Sequence, residues 1–182
     1  HIMGGLQDNG SWMAPSSAPG GVGNADWHAM YGGDGFWVQP DPFDNNIIYA
    51  EAQGATVGRV NVSTVKSINI KPAQTAGEDK LRWNWNSPIV IGTKNKHNLY
   101  MAAQYLYKST DQGNNWKRIS PDLTTNDPNK LKQEESGGLS ADNTSAENHC
   151  TIFTLAESPD DENIIWVGTD DGNLQYTTNG GN

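Results

Sequence analysis

Cysteine is almost absent from this 182-residue chain: Cys150 stands alone, so no intrachain disulfide can form and packing and hydrogen bonds must hold the fold. It adjoins the apolar run from Thr151 to Leu155 and reads as a small buried hydrophobe. Basic residues are also scarce. Twelve Lys and Arg against 21 Asp and Glu leave a net charge of −9. Phosphate neutralisation needs clustered cations, so nucleic acid is excluded as a partner and anionic membranes are disfavoured. No apolar run approaches the roughly 20 residues that span a bilayer. No signal peptide is visible, which in an internal segment carries no information on export. His28, His97 and His149 lack zinc spacing, and Asp170, Asp171 and Asn173 lack the terminal Glu of a calcium loop. Gly21, Val22 and Gly23 lack the third glycine and following helix of a dinucleotide site, so neither a metal nor a cofactor is expected. No Ser/His/Asp or Cys/His arrangement stands out. Helical periodicity is missing apart from one or two turns over 129–135.

What is present is a supply of 20 glycines, seven tryptophans and many short β-branched or aromatic runs bounded by Gly, Pro, Asn and Asp. The run from Pro42 to Tyr49 matches that from Pro159 to Trp166 as PxDxNII followed by an aromatic, and Asn98, Leu99, Tyr100 is a shortened third copy. Ser109, Asp111, Gly113 and Trp116 spell SxDxGxxW, the Asp-box signature, immediately after a strand. In such a turn the Asp111 carboxylate accepts backbone NH groups, Gly113 supplies a left-handed backbone and Trp116 caps the small core beneath. The box shapes a hairpin corner and is not a catalytic motif. A degraded second copy runs from Thr177 to Gly181.

Repeating strand–turn–strand units of this length predict an all-β fold, a β-propeller with blades of four antiparallel strands, in an incomplete ring of about three to four blades. The expected pieces are the end of one blade over 1–14, a blade over 34–71, a blade with the Asp box over 85–120 and a truncated blade over 150–182. A closed ring needs about four blades, so the expected state is an internal piece of a larger protein. Its open packing faces would pair with the missing blades or with another copy of the chain. The low charged fraction and abundant glycine and tryptophan suit an exported scaffold.

The longest stretches between strands, 15–34, 71–83 and 121–149, all precede an innermost strand, which directs them to one face of a propeller, the face where ligands usually bind. The first carries Asp26, Trp27 and His28, then Asp34 among glycines; Asp34 reads as a general acid or ligand anchor, and equally as a loop-stabilising turn residue. The second carries Glu78, Asp79, Arg82, Trp83 and Trp85. That mixture suits a sugar-binding wall, with rings packing on apolar sugar faces and charges taking hydroxyls; a salt bridge with core tryptophans explains it too. The third ends in Glu147 and His149, which should approach the same axial region as Asp34. Two carboxylates there, 5 to 10 Å or so apart, would permit glycoside hydrolysis. Asp34, Glu78 and Glu147 are therefore the candidate acids, and Trp27, His28, Arg59, Arg82, Trp83, Trp85 and His149 the candidate substrate-binding residues. Three NxS/T triplets begin at Asn9, Asn61 and Asn143.

The Asp box, the PxDxNII strands, the run GGLQDNGSW from Gly4 to Trp12, and the runs DWHAMYGGDGF and GTDDGNLQYT together resemble the glycosyl-hydrolase-like BNR/Asp-box propellers related to the sortilin and Vps10 propeller. The resemblance covers essentially the whole chain. It implies a longer, exported parent located extracellularly or in the periplasm, with blades beyond both ends of this segment. The ligand it implies is carbohydrate, or in the sortilin manner a peptide, because propellers host hydrolases, lectin-like binders and peptide receptors alike. Sialidase-type sites use an arginine triad with a tyrosine nucleophile, and no such set maps onto Arg59, Arg82 and Arg118.

Overall fold

The computed structural model describes residues 1–135 and 144–181. Among the described residues every regular element apart from two single 3-10 turns, Asn24–Asp26 and Gln133–Glu135, is a β-strand. The chain divides into two compact units, His1–Lys71 and Pro72–Asn182.

The first unit holds two antiparallel sheets. Strands β1 (Ile2–Leu6), β2 (Gly10–Ala14) and β3 (His28–Tyr31) pair in that order, and β4 (Gly35–Pro40), β5 (Ile47–Ala52), β6 (Thr56–Asn61) and β7 (Lys66–Asn69) form a four-stranded meander. Strand β3 falls inside the stretch read as a loop over 15–34. It was missed because HAMY is too short and too mixed to show alternation, and it is held by its pairing with Ser11 to Met13. Met3, Met13 and Tyr31 of the first sheet pack on Ile48, Ala50 and Val60 of the second. Gly5 and Gly35 permit this approach, since a Cβ on either would run into backbone of the facing sheet.

In the second unit β8 (Ile89–Ile91), β9 (Leu99–Ala102), β10 (Leu106–Ser109) and β11 (Lys117–Arg118) form a four-stranded sheet. Strands β12 (Ile152–Glu157), β13 (Ile165–Thr169) and β14 (Leu174–Thr177) form a three-stranded one. Tyr100, Ala102 and Leu106 of the former interlock with Ile152, Leu155, Ile165 and Val167 of the latter in one buried core. Within each unit a three-stranded and a four-stranded antiparallel sheet stack face to face, as blades of the expected partial propeller do.

A carboxylate latch closes the turn between the first two strands of a blade. In the first unit Asp41 Oδ1 accepts the NH groups of Phe43 and Asp44, while the hydroxyl of buried Tyr49 donates to Oδ2 at 2.6 Å. The position equivalent to Asp41 in the next blade is Gly92, whose NH meets the Asn98 carbonyl as the Asp41 NH meets that of Ile47. Glu157 of β12 reaches into the space left there. Its Oε1 accepts the NH groups of Lys94 and Asn95 at 2.7 and 3.2 Å, and its Oε2 accepts the Tyr100 hydroxyl at 2.7 Å and Asn98 Nδ2 at 3.1 Å. A Cβ on Gly92 would overlap the Asn95 carbonyl and crowd this carboxylate. Burial first, and then the facing carboxylates, hold the Tyr49 and Tyr100 hydroxyls protonated well above the usual phenol range.

The Asp-box turn follows a related logic. Ser109 Oγ donates to Asp111 Oδ1 at 2.8 Å and accepts the Gly113 NH at 2.9 Å, Asp111 Oδ1 takes the Asn115 NH at 2.9 Å, and Gly113 has φ 82°. Part of the backbone acceptance expected of Asp111 thus falls to the serine hydroxyl. Thr177, Asn179 and Gly181 repeat the arrangement, with the Gly181 NH on Thr177 Oγ1 at 3.3 Å. Thr169, Asp171 and Asn173 are a third version, with the Thr169 hydroxyl on Asp171 and the Asn173 NH returning to it at 2.9 Å.

Two predictions follow from the buried carboxylates. Glu157→Ala strands two NH groups and a tyrosine hydroxyl, and should cost about 3 kcal/mol in urea unfolding, whereas Tyr100→Phe should cost about 1. Burial acts to raise the Asp171 pKa, but hydrogen bonds from the Thr169 and Thr125 hydroxyls and the Thr125 NH outweigh it and hold the carboxyl far below its ordinary value. The unfolded chain takes up that proton near pH 4, roughly, so the contribution of Asp171 is full above that pH and drains away below it. Asp171→Asn should flatten that part of a stability-against-pH curve.

Candidate functional site

The two long connections of the second unit meet. Arg82, at the end of the first, donates from Nη2 to Asp122 Oδ2 at 2.6 Å and to Thr124 Oγ1 at 3.2 Å, and from Nε to the Cys150 carbonyl at 3.1 Å. It therefore ties both stems of the 121–149 connection to the 72–88 segment. Further ties fix the same stems. Asp171 takes the NH and hydroxyl of Thr125, while Asn173 and Gln175 both donate to the Leu123 carbonyl. At the other stem Asn148 donates to the Trp83 carbonyl at 2.7 Å, and Asp170 takes the NH and hydroxyl of Thr151. On this mounting opens a cleft of about 600 Å³ whose lining includes Asp79, Arg82, Asn126, Lys132, Glu134 and Asn148. Donors and acceptors alternate around it, which suits a ligand rich in hydroxyls or amides.

The candidate residues of this unit take varied posts. Glu78 is ion-paired to Arg118 at 3.3 Å, and that guanidinium lies over the Tyr105 ring. Glu147 turns back on its own loop, its carboxylate accepting the Thr144 NH at 2.9 Å. Trp83 is buried and stacked near Tyr107, as a core residue would be; Trp85 is half-buried just before β8. His149 Nδ1 lies 3.9 Å from Asp170 and 3.8 Å from Cys150 Sγ. This Cys/His/Asp grouping was not visible as a motif, since Asp170 is 20 positions from Cys150. Cys150 is fully buried at φ 56°, and burial pushes its thiol up, so the group braces the loop stem and offers no accessible nucleophile. Asn143, which opens the third NxS/T triplet, lies outside the described residues.

In the first unit Asp34 borders an open groove with Asp8, Tyr31 and Ser67, and its Oδ1 accepts the Asp8 NH at 2.9 Å, bracing the β1–β2 turn. Trp27 belongs to a different, apolar cleft with Ile2, Leu6 and Trp12. His28 is exposed on β3, and Arg59 sits on β6 opposite Tyr49. Sequence reasoning grouped Trp27, His28 and Asp34 by proximity along the chain; the pairing of β3 with β2 separates Trp27 from Asp34. Among the described residues no group of three or more His, Cys, Asp or Glu side chains could hold a metal ion, and no helix is long and apolar enough to cross a membrane.

No family model matches the chain, and a search of curated proteins finds no match. Solved structures do match. A GH74 xyloglucanase from Xanthomonas campestris superposes with a TM-score of 0.52 at 12% identity over 85% of this chain. A GH74 enzyme from Niastella koreensis does so with 0.47 at 17% identity over all of it. The chain spans 22% of the length of each. The first likeness, with the sheets described above, shows an all-β partial propeller fold.

The mounting makes Arg82 testable. Arg82→Ala should cost about 3 kcal/mol by leaving Asp122 half-buried without its cation, and limited proteolysis should then cut within 121–149. Asp122→Ala should give the same cut, with the double variant little worse than either single one.

Proposed function

We propose that this chain is a segment of an exported Asp-box propeller that binds carbohydrate on the loop face of its second unit. The observation that carries this reading is the polar cleft where the two connections preceding β8 and β12 meet on a braced base. Sugar hydroxyls need donors and acceptors held at fixed spacing, and Asp79, Arg82, Glu134 and Asn148 offer both. The fold likeness to a xyloglucanase supports a glucan as the first ligand to try.

Binding is favoured over hydrolysis because the candidate acids already have structural partners: Glu78 in Arg118, Glu147 in Thr144, Asp34 in Asp8. The sortilin-like reading, a tunnel gripping an extended peptide, would call for Arg59 or Arg82 in the tunnel with little acidic pairing. Arg82 spends its charge on Asp122 and so does not supply that arginine.

Titration calorimetry of the chain and of a longer parent against xyloglucan oligosaccharides, preceded by a glycan array, tests the proposal. Binding is expected, weakened about tenfold by Asp79→Ala, which removes about one hydrogen bond. Binding to no glycan sinks the reading. Glycan hydrolysis lost on Asp34→Ala, Glu78→Ala or Glu147→Ala would replace it with an enzymatic one.

A further inference from the structure

One wall of the cleft in the second unit takes its shape from two glutamine side chains. Gln74 donates from Nε2 to the carbonyls of Thr75, Glu78 and Asp79 at 3.2, 3.3 and 3.1 Å, and its Oε1 accepts the Leu81 NH at 2.8 Å. Gln104, fully buried at the corner between β9 and β10, takes the next groups in line: its Oε1 accepts the Arg82 NH at 2.8 Å and its Nε2 donates to the Lys80 carbonyl at 3.0 Å. The carbonyls of Glu78, Asp79 and Lys80 and the NH groups of Leu81 and Arg82 are thus all held by side-chain amides. A primary amide suits this task because one planar group carries both an acceptor and a two-hydrogen donor.

The same corner locates the opposite wall. The Gln104 carbonyl accepts the Leu123 NH at 3.1 Å and the Ala103 carbonyl accepts the Ile152 NH at 2.7 Å, so both ends of the 121–149 connection are measured from the point that holds Lys80 and Arg82. Gln104 fixes the far half of the Glu78–Arg82 strip to the sheet. Gln74 folds the near half onto it. With its backbone groups occupied, the strip leaves Asp79 and Lys80 exposed along the cleft and buries Leu81. It belongs to no helix or strand, so without these amides it would have to be ordered when a ligand arrives, at a cost in affinity.

We propose that Gln74 is a positioning residue of the cleft, which, resting on the carbohydrate reading, presets the Asp79 wall so that a sugar meets donors and acceptors already in place. Gln74 itself does not line the cleft and acts through the backbone of Glu78, Asp79 and Leu81. Its effect on a ligand is therefore carried by Asp79 and its neighbours.

Titration calorimetry with xyloglucan oligosaccharides on Gln74→Met and Gln74→Glu, together with amide hydrogen exchange on the unliganded chain, tests the proposal. Gln74 is exposed, so urea unfolding should match the wild type in both variants. In Gln74→Met the Leu81 amide loses its acceptor and should exchange about tenfold faster. Gln74→Glu keeps that acceptor but sets a carboxylate against three carbonyls. Both variants should bind the oligosaccharide about tenfold more weakly. Gln74→Met combined with Asp79→Ala should lose far less than the roughly hundredfold of two independent effects, because a released strip no longer presents Asp79. Equal binding by the wild type and Gln74→Met overturns the proposal and leaves the carbohydrate reading standing. So does a fully multiplied loss in the double variant, or a Leu81 amide whose exchange does not change. A wild type that binds no glycan overturns both, and does so before any substitution is made.

Discussion

A carboxylate that gathers two turn NH groups and a tyrosine hydroxyl is the interaction on which both four-stranded sheets turn. The tyrosine hydroxyl of such a turn is buried and must find an acceptor, and a carboxylate has a second oxygen with which to take the turn NH groups as well. Asp41 serves Phe43, Asp44 and Tyr49 from within its own turn, eight positions from the tyrosine. Glu157 does the same work for Lys94, Asn95 and Tyr100 from 57 positions away and from another sheet. The first turn can therefore close on local contacts. The second is complete only when β12 has docked, which makes the two sheets of the second unit cooperative where a purely aliphatic contact would let them slide.

Much of this architecture was legible because it repeats. The PxDxNII strands and the Asp-box turn recur at blade-like intervals, and period-two runs between glycines and asparagines mark β5, β9, β10, β12 and β13 within a residue or two. Strand β3 escaped because four residues without alternation are held by pairing alone. The substitution of Glu157 for an aspartate at position 92 escaped because nothing local in Glu157 distinguishes a latch from an ordinary strand end. The third serine-type turn, Thr169 to Asn173, falls in a run that resembles the Asp-box propellers and lacks the end of a calcium loop, but the hydroxyl at its first position carries no signature of the turn until the i+4 NH is seen returning to it.

The candidate site divides in a similar way. Sequence order directed two long connections of the second unit to one side, and Arg82, Asp122 and Cys150 do meet there. What order along the chain could not supply was occupation. Glu78, Glu147 and Asp34 look available as letters, and become committed once Arg118, Thr144 and Asp8 are in place. Trp83 looks like a sugar platform until Tyr107 and the Asn148 amide enclose it. Polar side chains in glycine-rich loops are recruited first by the backbone around them, and chemistry has to use what is left.

The 121–149 connection is gripped at both of its roots, Asp122 to Thr125 at one end and Asn148 to Thr151 at the other. With its roots fixed in this way, the ends of β11 and β12 keep their register whatever length of chain joins them. Evolution, or an engineer, is free to lengthen, shorten or rewrite it as an exchangeable cassette, changing what the surface recognises while the scaffold beneath keeps the same geometry.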